Sequence, residues 1–173
     1  MLTALTSTTT STSAATSTAT NIVVNGGFEN SSTSYSPWTI QAAAGSTATF
    51  TVTSSYFRSG TNSFDFKFGK PATPPDANLT QIVNVKVGST YRIALFGEAP
   101  VASSGCSATV FLDNLLQGKI EPAGGTTWIA ANITTTFTAT SATATLKIDA
   151  LCTGNAAASK DLYIDDVTMV QIS

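Results

Sequence analysis

The side chains that could carry chemistry in this chain are ten acids and two cysteines, because none of its 173 residues is histidine. Without histidine, the Ser-His-Asp triad, the Cys-His dyad and His-ligated zinc are excluded. Glycoside hydrolysis needs only two carboxylates, roughly 5–10 Å apart. No motif selects such a pair, so we expect no catalytic site in this chain, although a catalytic domain could precede or follow it. The acids are Glu29, Asp65, Asp76, Glu98, Asp113, Glu121, Asp149, Asp161, Asp165 and Asp166.

Cys106 and Cys152 are the only cysteines. Cys106 directly precedes one predicted strand and Cys152 directly follows another. Each shares the parity of that strand's apolar residues, and alternating residues of a strand face opposite sides. Both cysteines are therefore predicted to point into the core and to form a disulfide bond, the alternative being two separate buried thiols. A disulfide closing this loop would stabilise the fold by about 4 kcal/mol and would indicate an oxidising compartment.

The composition excludes several partners. Only 10% of the residues are charged, the net charge is −2 and the isoelectric point is about 4.8. A basic surface for nucleic acid is therefore not expected, and no apolar run reaches the roughly 20 residues of a membrane span. Ser and Thr make up roughly three residues in ten, which favours an extracellular protein, secreted or in the cell wall, although the chain shows no signal peptide.

Residues 1–20 consist almost entirely of Ser, Thr and Ala. Such a segment buries too little apolar surface to fold, so we expect a disordered linker over 1–20 and one folded domain over 21–173. Three N-x-[ST] sequons predict glycosylation at Asn30, Asn78 and Asn132.

From Asn21 onwards the chain alternates short apolar runs with turn residues, which predicts an all-β fold: an antiparallel β-sandwich of the jelly-roll type. The apolar parity changes across Asp165-Asp166, and this predicts a β-bulge there. The expected strands are Ile22–Val24, Trp38–Gln41, Thr47–Thr53, Ser63–Phe68, Leu79–Val87, Thr90–Phe96, Ser107–Asp113, Gln117–Glu121, Thr127–Thr138, Ala142–Leu151 and Leu162–Val170.

Two stretches carry a family resemblance: the opening NIVVNGGFE over 21–29, with Trp38 after it, and LYIDDVT over 162–168 near the C-terminus. Between them lie RSGTNSF over 58–64 and VGSTY over 87–91. In this order the segments resemble the CenC-type carbohydrate-binding modules, which include families 4, 9, 16 and 22. The Ser/Thr-rich segment and the paired cysteines are similar to versions found in fungal secreted proteins.

The resemblance implies a structural calcium ion. Its ligands would be the carbonyls of Gly27 and Gly60, the side chain of Glu29, and Asp165. Carboxylates beside irregular backbone suit an oxygen-seeking cation. The alternative is that Glu29 and Asp165 only accept backbone hydrogen bonds at strand ends.

The resemblance also implies a glycan-binding cleft on one sheet, with Gln81 at a position similar to a ligand-contacting amide of the family. Thr109, Phe111 and Asp149 have the parity opposite to the cysteines and are expected to face outward. Tyr56 and Phe57 lie in a loop that could border the cleft.

We therefore expect a monomeric, non-catalytic module that binds a neutral cell-wall polysaccharide such as a β-glucan. The alternative function is a structural or adhesive extracellular domain that lacks glycan binding.

Overall fold

The computed structural model describes residues 20–69, 76–100, 103, 105–153 and 160–173. These residues form twelve β-strands in two antiparallel sheets, so the predicted β-sandwich is confirmed. Within them there is no helix that could cross a membrane. Apart from Thr20, the predicted linker lies outside the described residues. The strands are β1 Thr39–Ala42, β2 Thr49–Thr53, β3 Ser63–Phe68, β4 Asp76–Asn84, β5 Thr90–Glu98, β6 Cys106–Leu112, β7 Leu115–Ile120, β8 Ile129–Ala130, β9 Asn132–Ile133, β10 Phe137–Thr138, β11 Thr143–Cys152 and β12 Lys160–Gln171.

Sheet 1 has the strand order β1-β4-β11-β6-β7-β9, and sheet 2 has the order β10-β5-β12-β3-β2, with β8 also paired to β5. Each sheet buries every second side chain against the other. In β3 the rings of Phe64, Phe66 and Phe68 are fully buried and contact one another, with centroid distances of 4.8 and 6.2 Å. Burial of one such ring stabilises the fold by about 1.5–3 kcal/mol, so the alternation fixes which face of each strand points inward.

The predicted first strand, Ile22–Val24, is wrong. Asn21 forms an isolated bridge to Val170, and the backbone N–H of Val24 donates to a side chain, Gln81 Oε1. The sequence is apolar enough for a strand, but its backbone groups are bonded by the C-terminal strand and by a side chain of the opposite sheet.

The predicted long strand Thr127–Thr138 is divided into three pairs of residues. β8 lies in sheet 2 beside β5, β9 lies in sheet 1 beside β7, and β10 returns to β5. Between β8 and β9, the N–H of Ala131 donates to the carbonyl of Leu95. The segment thus crosses between the sheets, which the alternation of side chains along it does not reveal.

The Asn25–Glu29 turn contains two adjacent glycines, but neither of them adopts a positive φ. Positive φ values occur at Asn25 (51°) and Phe28 (59°) instead. Gly26 is needed for space, because a Cβ there would lie 2.0 Å from the carbonyl oxygen of Val167. The predicted bulge is confirmed: the register of β12 with β5 shifts between Asp165 and Thr168.

Candidate functional site

The four predicted calcium ligands lie together where the Asn25–Glu29 turn, the loop over 58–62 and the bulge at Asp165-Asp166 meet. We call this group the turn cluster. Asp165 is fully buried there. Its Oδ2 accepts hydrogen bonds from the backbone N–H groups of Arg58 (2.8 Å) and Ser59 (3.3 Å), and its Oδ1 accepts one from Asp166 (2.7 Å). Burial nevertheless raises the pKa of Asp165 to about 6, outweighing these hydrogen bonds.

Glu29 is held by four donors. Its Oε1 accepts the N–H groups of Thr61 and Asn62, both at 2.9 Å, and its Oε2 accepts their side chains at 2.8 and 3.2 Å. Partial burial acts to raise the pKa of Glu29, but the hydrogen bonds together lower it. Gly60, with φ of 65°, is required in this loop because a Cβ would lie 2.3 Å from Glu29 Oε1.

On the side of Asp165, the turn cluster offers oxygen atoms that fit the coordination of a hard cation. A Cβ on Gly27 would lie 3.8 Å from Oδ1 of both Asp165 and Asp166, so two carboxylate oxygens face this glycine. Oδ1 of Asp165 accepts one hydrogen bond, which leaves a lone pair available. Glu29, by contrast, has its acceptor capacity filled by protein donors. No three acidic side chains among the described residues converge as a metal centre, so a cation here would also need backbone carbonyls.

The two cysteines form a disulfide bond that joins adjacent strands of sheet 1. Cys152 on β11 lies directly opposite Cys106 on β6, and both residues are buried. The structure thus selects the disulfide over the alternative of two separate thiols. It also confirms the parity from which the outward-facing residues were predicted.

Thr109, Phe111 and Asp149 do face outward, on what we call the outer face of sheet 1. Asp149 is paired with Thr109, and Lys147 is paired with Phe111 on the same two strands. The ammonium of Lys147 lies 4.5 Å above the ring of Phe111 and 3.3 Å from Asp149 Oδ2. One side of the Phe111 ring is therefore covered by a cation, which the sequence did not indicate.

Two depressions lie beside these residues, along β1 and β4. The larger, about 430 Å³, is lined by Pro37, Thr39, Thr80, Gln81, Ile82 and Thr145. The smaller, about 290 Å³, is lined by Gln41, Ala42, Ala43, Ala44 and Asn78. The larger combines hydroxyl groups with the apolar side chain of Ile82, which is 73% exposed. Sequence reasoning missed these threonines, although their strand parity alone would have placed Thr80 and Thr145 outward.

Gln81 was predicted to contact the ligand, and this is wrong. Its side chain is 4% exposed and lies on the core side of β4. Its Oε1 accepts the N–H of Val24 and its Nε2 donates to the carbonyl of Val24, both at 2.8 Å. Both ends of the amide are thus bonded to backbone, and the side chain points into the core and not towards a ligand on the outer face of sheet 1. Its role is to join the N-terminal segment to sheet 1.

Tyr56 and Phe57 do not border the face that carries Phe111. The ring of Tyr56 stacks on Tyr163 of β12 at 5.0 Å, and two residues later Arg58 lies over the ring of Phe96 of β5. Because β5 and β12 belong to sheet 2, this loop covers the outer face of the opposite sheet. The sequence contains no signal for the direction in which a loop folds back.

Under that loop lies an acidic cluster that sequence reasoning did not single out: Asp65, Glu98 and Asp161 around Tyr163. Tyr163 lies opposite Asp65 of β3 on one side and opposite Glu98 of β5 on the other. Burial raises the pKa of Asp65 to about 7, with a further rise from the charge of Asp161 and a decrease from Lys67. Burial also raises the pKa of Glu98. The alternation Phe64-Asp65-Phe66 places Asp65 outward, but it does not predict that the outer face is covered.

The sequons occupy three different environments. Asn30 and Asn132 are exposed, whereas Asn78 is half-buried in β4 between Gln41 of β1 and Asp149 of β11. Glycosylation remains a prediction at all three asparagines. A glycan on Asn78 would lie across the outer face of sheet 1.

Comparison with known proteins gives structural matches only. No family model matches the chain, and no curated protein sequence matches it significantly. Among solved structures, the module TmCBM61 in complex with β-1,4-galactotriose matches with a TM-score of 0.64 at 15% identity, over 88% of this chain and 99% of that one. The xylan-binding CBM22-1 domain from Paenibacillus barcinonensis matches with a TM-score of 0.51 at 11% identity, over 79% of this chain and 86% of that one.

An adhesin domain of Lys-gingipain matches with a TM-score of 0.53 at 16% identity, over 78% of this chain and 90% of that one. At such identities the likeness concerns the fold: this chain has the β-sandwich found in carbohydrate-binding modules.

Proposed function

We propose that this domain is a non-catalytic carbohydrate-binding module of the CenC type that binds a neutral polysaccharide on the outer face of sheet 1. The observation that carries the proposal is the depression of about 430 Å³, in which Thr39, Thr80 and Thr145 accompany the exposed Ile82. Hydroxyl groups can exchange hydrogen bonds with sugar hydroxyls, while the apolar side chain can contact the C–H face of a pyranose ring. Sugar-binding structures with the same fold support this choice.

The ligand would extend from this depression across β11 towards β6, over Thr109, Phe111 and Asp149. Lys147 and Asp149 form an ion pair with each other, so this region offers little net charge to an acidic polymer. A β-glucan or another cell-wall glycan fits such a surface. Binding should be weak, about micromolar to millimolar in Kd, because a shallow groove buries little surface and sugar hydroxyls lose good hydrogen bonds to water.

Calorimetric titration against soluble glucan, xylan and galactan oligosaccharides tests the proposal. We expect one of them to bind. Its affinity should change little between low and high salt, because a neutral ligand forms no ion pair with the protein that salt could screen. Phe111→Ala should weaken binding, since it removes the ring and the support of Lys147. Phe57→Ala is the matched control: it removes an exposed aromatic ring from the other sheet and should leave binding unchanged. If no oligosaccharide, cellulose or chitin binds the folded protein, the proposal fails.

A structural or adhesive domain is the second candidate, and two observations favour it. The ring of Phe111 is covered by Lys147 on one side, and the two exposed aromatic side chains among the described residues, Tyr56 and Phe57, belong to the loop over sheet 2. The similarity to an adhesin domain agrees with this reading. Absence of glycan binding in the titrations above, together with adhesion of the purified domain to cells or matrix proteins, would select it.

We further propose that the turn cluster binds one structural calcium ion through Asp165 and the carbonyls of Gly27 and Gly60, while Glu29 holds the loop that carries Gly60 through its four hydrogen bonds. The buried carboxylate of Asp165 and the two oxygens that face Gly27 support this assignment. The ion would compensate buried negative charge and connect the first turn to the last strand. The disulfide supports our proposal of an oxidising, extracellular compartment, and we further propose that the domain is a monomer.

A further inference from the structure

The described residues contain three buried side-chain oxygens that lack a hydrogen-bond partner, and all three belong to the acidic cluster on sheet 2. They are Asp65 Oδ1, Glu98 Oε1 and Asp161 Oδ1. Asp65 is 8% exposed and Glu98 is 1% exposed. Asp161 Oδ1 has one cation nearby, Lys67 Nζ at 4.0 Å. Since buried acceptors are normally paired, this concentration on one face indicates a group that supplies hydrogen-bond donors.

The groups that face this cluster come from every element packed on it. β3 contributes Asp65 and Lys67, β12 contributes Asp161 and Tyr163, β5 contributes Glu98, and the covering loop contributes Tyr56. Asp65 and Glu98 lie directly opposite Tyr163 on the two neighbouring strands, and Asp161 lies two residues before it on β12. Acidic groups predominate, which favours a donor that also carries positive charge.

The arrangement favours an organic ammonium group over a metal ion. No three acidic side chains of the described residues converge on one point, whereas an ammonium group has three donors and can bind oxygens that are spread around it. Tyr56, whose ring stacks on Tyr163, and its chain neighbour Phe57 are 39% and 44% exposed. The faces of aromatic rings attract cations and also contact the flat C–H faces of sugars.

We propose that the outer face of sheet 2 holds a second ligand site, between the acidic cluster and the loop with Tyr56 and Phe57, that binds an amino sugar through its ammonium group. The ammonium contacts Asp65 of β3 and Asp161 of β12, whose unpaired oxygens lie on neighbouring strands, and the sugar ring lies against the exposed aromatic side chains. This site goes beyond the proposed function, because it lies on the other sheet and shares no residue with the face that carries Phe111.

Access to the acids requires a movement of Tyr56. Its ring stacks on Tyr163, and in the described part of the chain no hydrogen bond holds its hydroxyl group. The ring can therefore turn outward at the cost of one stacking contact and then cover the incoming sugar. Arg58, which lies over Phe96 and pairs with Asp166, keeps the following part of the loop in place.

Calorimetry of the full chain near pH 7 with a glucosamine tetramer tests the site, with the N-acetylglucosamine tetramer as the neutral comparison. We expect the glucosamine tetramer to bind at least tenfold more tightly. Asp65→Asn and Asp161→Asn should each weaken its binding about tenfold or more, the loss expected for a charge-assisted hydrogen bond. A cation that lowers the pKa of Asp65 must also release protons, so the observed heat should depend on the ionisation enthalpy of the buffer.

Phe111→Ala is the control for the other face and should leave binding of the glucosamine tetramer unchanged, whatever its effect on neutral glycans. Circular dichroism confirms that each variant is folded. Equal binding of the two tetramers, no binding of either, or unchanged affinity in both acid variants would overturn the proposal. A lysine-rich peptide that binds as tightly as the glucosamine tetramer would also overturn it, because the site would then recognise amines without selecting a sugar.

Discussion

Asp65 should make the stability of this domain decrease as the pH rises, and the replacement Asp65→Asn should remove that effect. Asp65 lies in the middle of β3, between Thr51 of β2 and Tyr163 of β12. It is 8% exposed and its Oδ1 has no hydrogen-bond partner. The carboxyl group is therefore more favourable as the neutral acid than as the anion.

The magnitude follows from the pKa. Burial first, and then the charge of Asp161, raise the pKa of Asp65 from 3.8 to about 7. Between these two values the folded chain keeps a proton that the unfolded chain has released, so the free energy of unfolding falls with increasing pH. A difference of about three pKa units corresponds to about 4 kcal/mol lost from pH 4 to pH 8. The contribution is complete below the unfolded value and is lost as the pH passes the folded one.

Urea unfolding from pH 4 to pH 8, with the disulfide intact, measures the effect. We expect the Asp65→Asn variant to lose less stability than the wild type over this range, by up to about 4 kcal/mol. The remaining slope of the variant would include Glu98, whose pKa burial also raises. Asp149→Asn, which removes a half-exposed acid from the other sheet, is the matched control and should follow the wild type. Equal slopes for wild type and Asp65→Asn would refute the reasoning.

Three further predictions concern the turn cluster and its neighbours. Gly26→Ala should destabilise the fold by about 1–3 kcal/mol, because the added Cβ would meet the carbonyl of Val167. Thermal unfolding measures this loss, and an unchanged Tm would contradict the close approach. Gln81→Leu should lower the free energy of unfolding by about 1–3 kcal/mol, because it leaves the backbone groups of Val24 unpaired. It should not alter the affinity for a glycan that binds the outer face of sheet 1. A selective loss of binding at unchanged stability would restore Gln81 as a ligand residue. Calcium should raise the Tm, since a ligand that binds only the folded state stabilises it by mass action, and Asp165→Ala should abolish the increase; an equal Tm in calcium and chelator, with no calcium found by elemental analysis, would remove the site.

The alternation of side chains along each strand was determined by the sequence alone. It placed Phe64, Phe66 and both cysteines inward and Phe111 outward, because a strand with one face in the core must repeat with a period of two. The same rule would have placed Gln81 inward, since it shares the parity of its apolar neighbours in β4. The error arose where a family resemblance was preferred to that alternation. The change of parity at Asp165-Asp166 likewise sufficed to predict the bulge.

Only the tertiary structure decided which strands are neighbours and where the loops lie. The segment Thr127–Thr138 crosses from one sheet to the other because its hydrogen-bond partners, β5 and β7, lie in different sheets. The position of Tyr56 over Tyr163, and with it the burial of Asp65 and Glu98, depends on contacts between residues 65 to 107 positions apart in the chain. A local pattern records which face of a strand is apolar, but it contains no information about what covers the polar face.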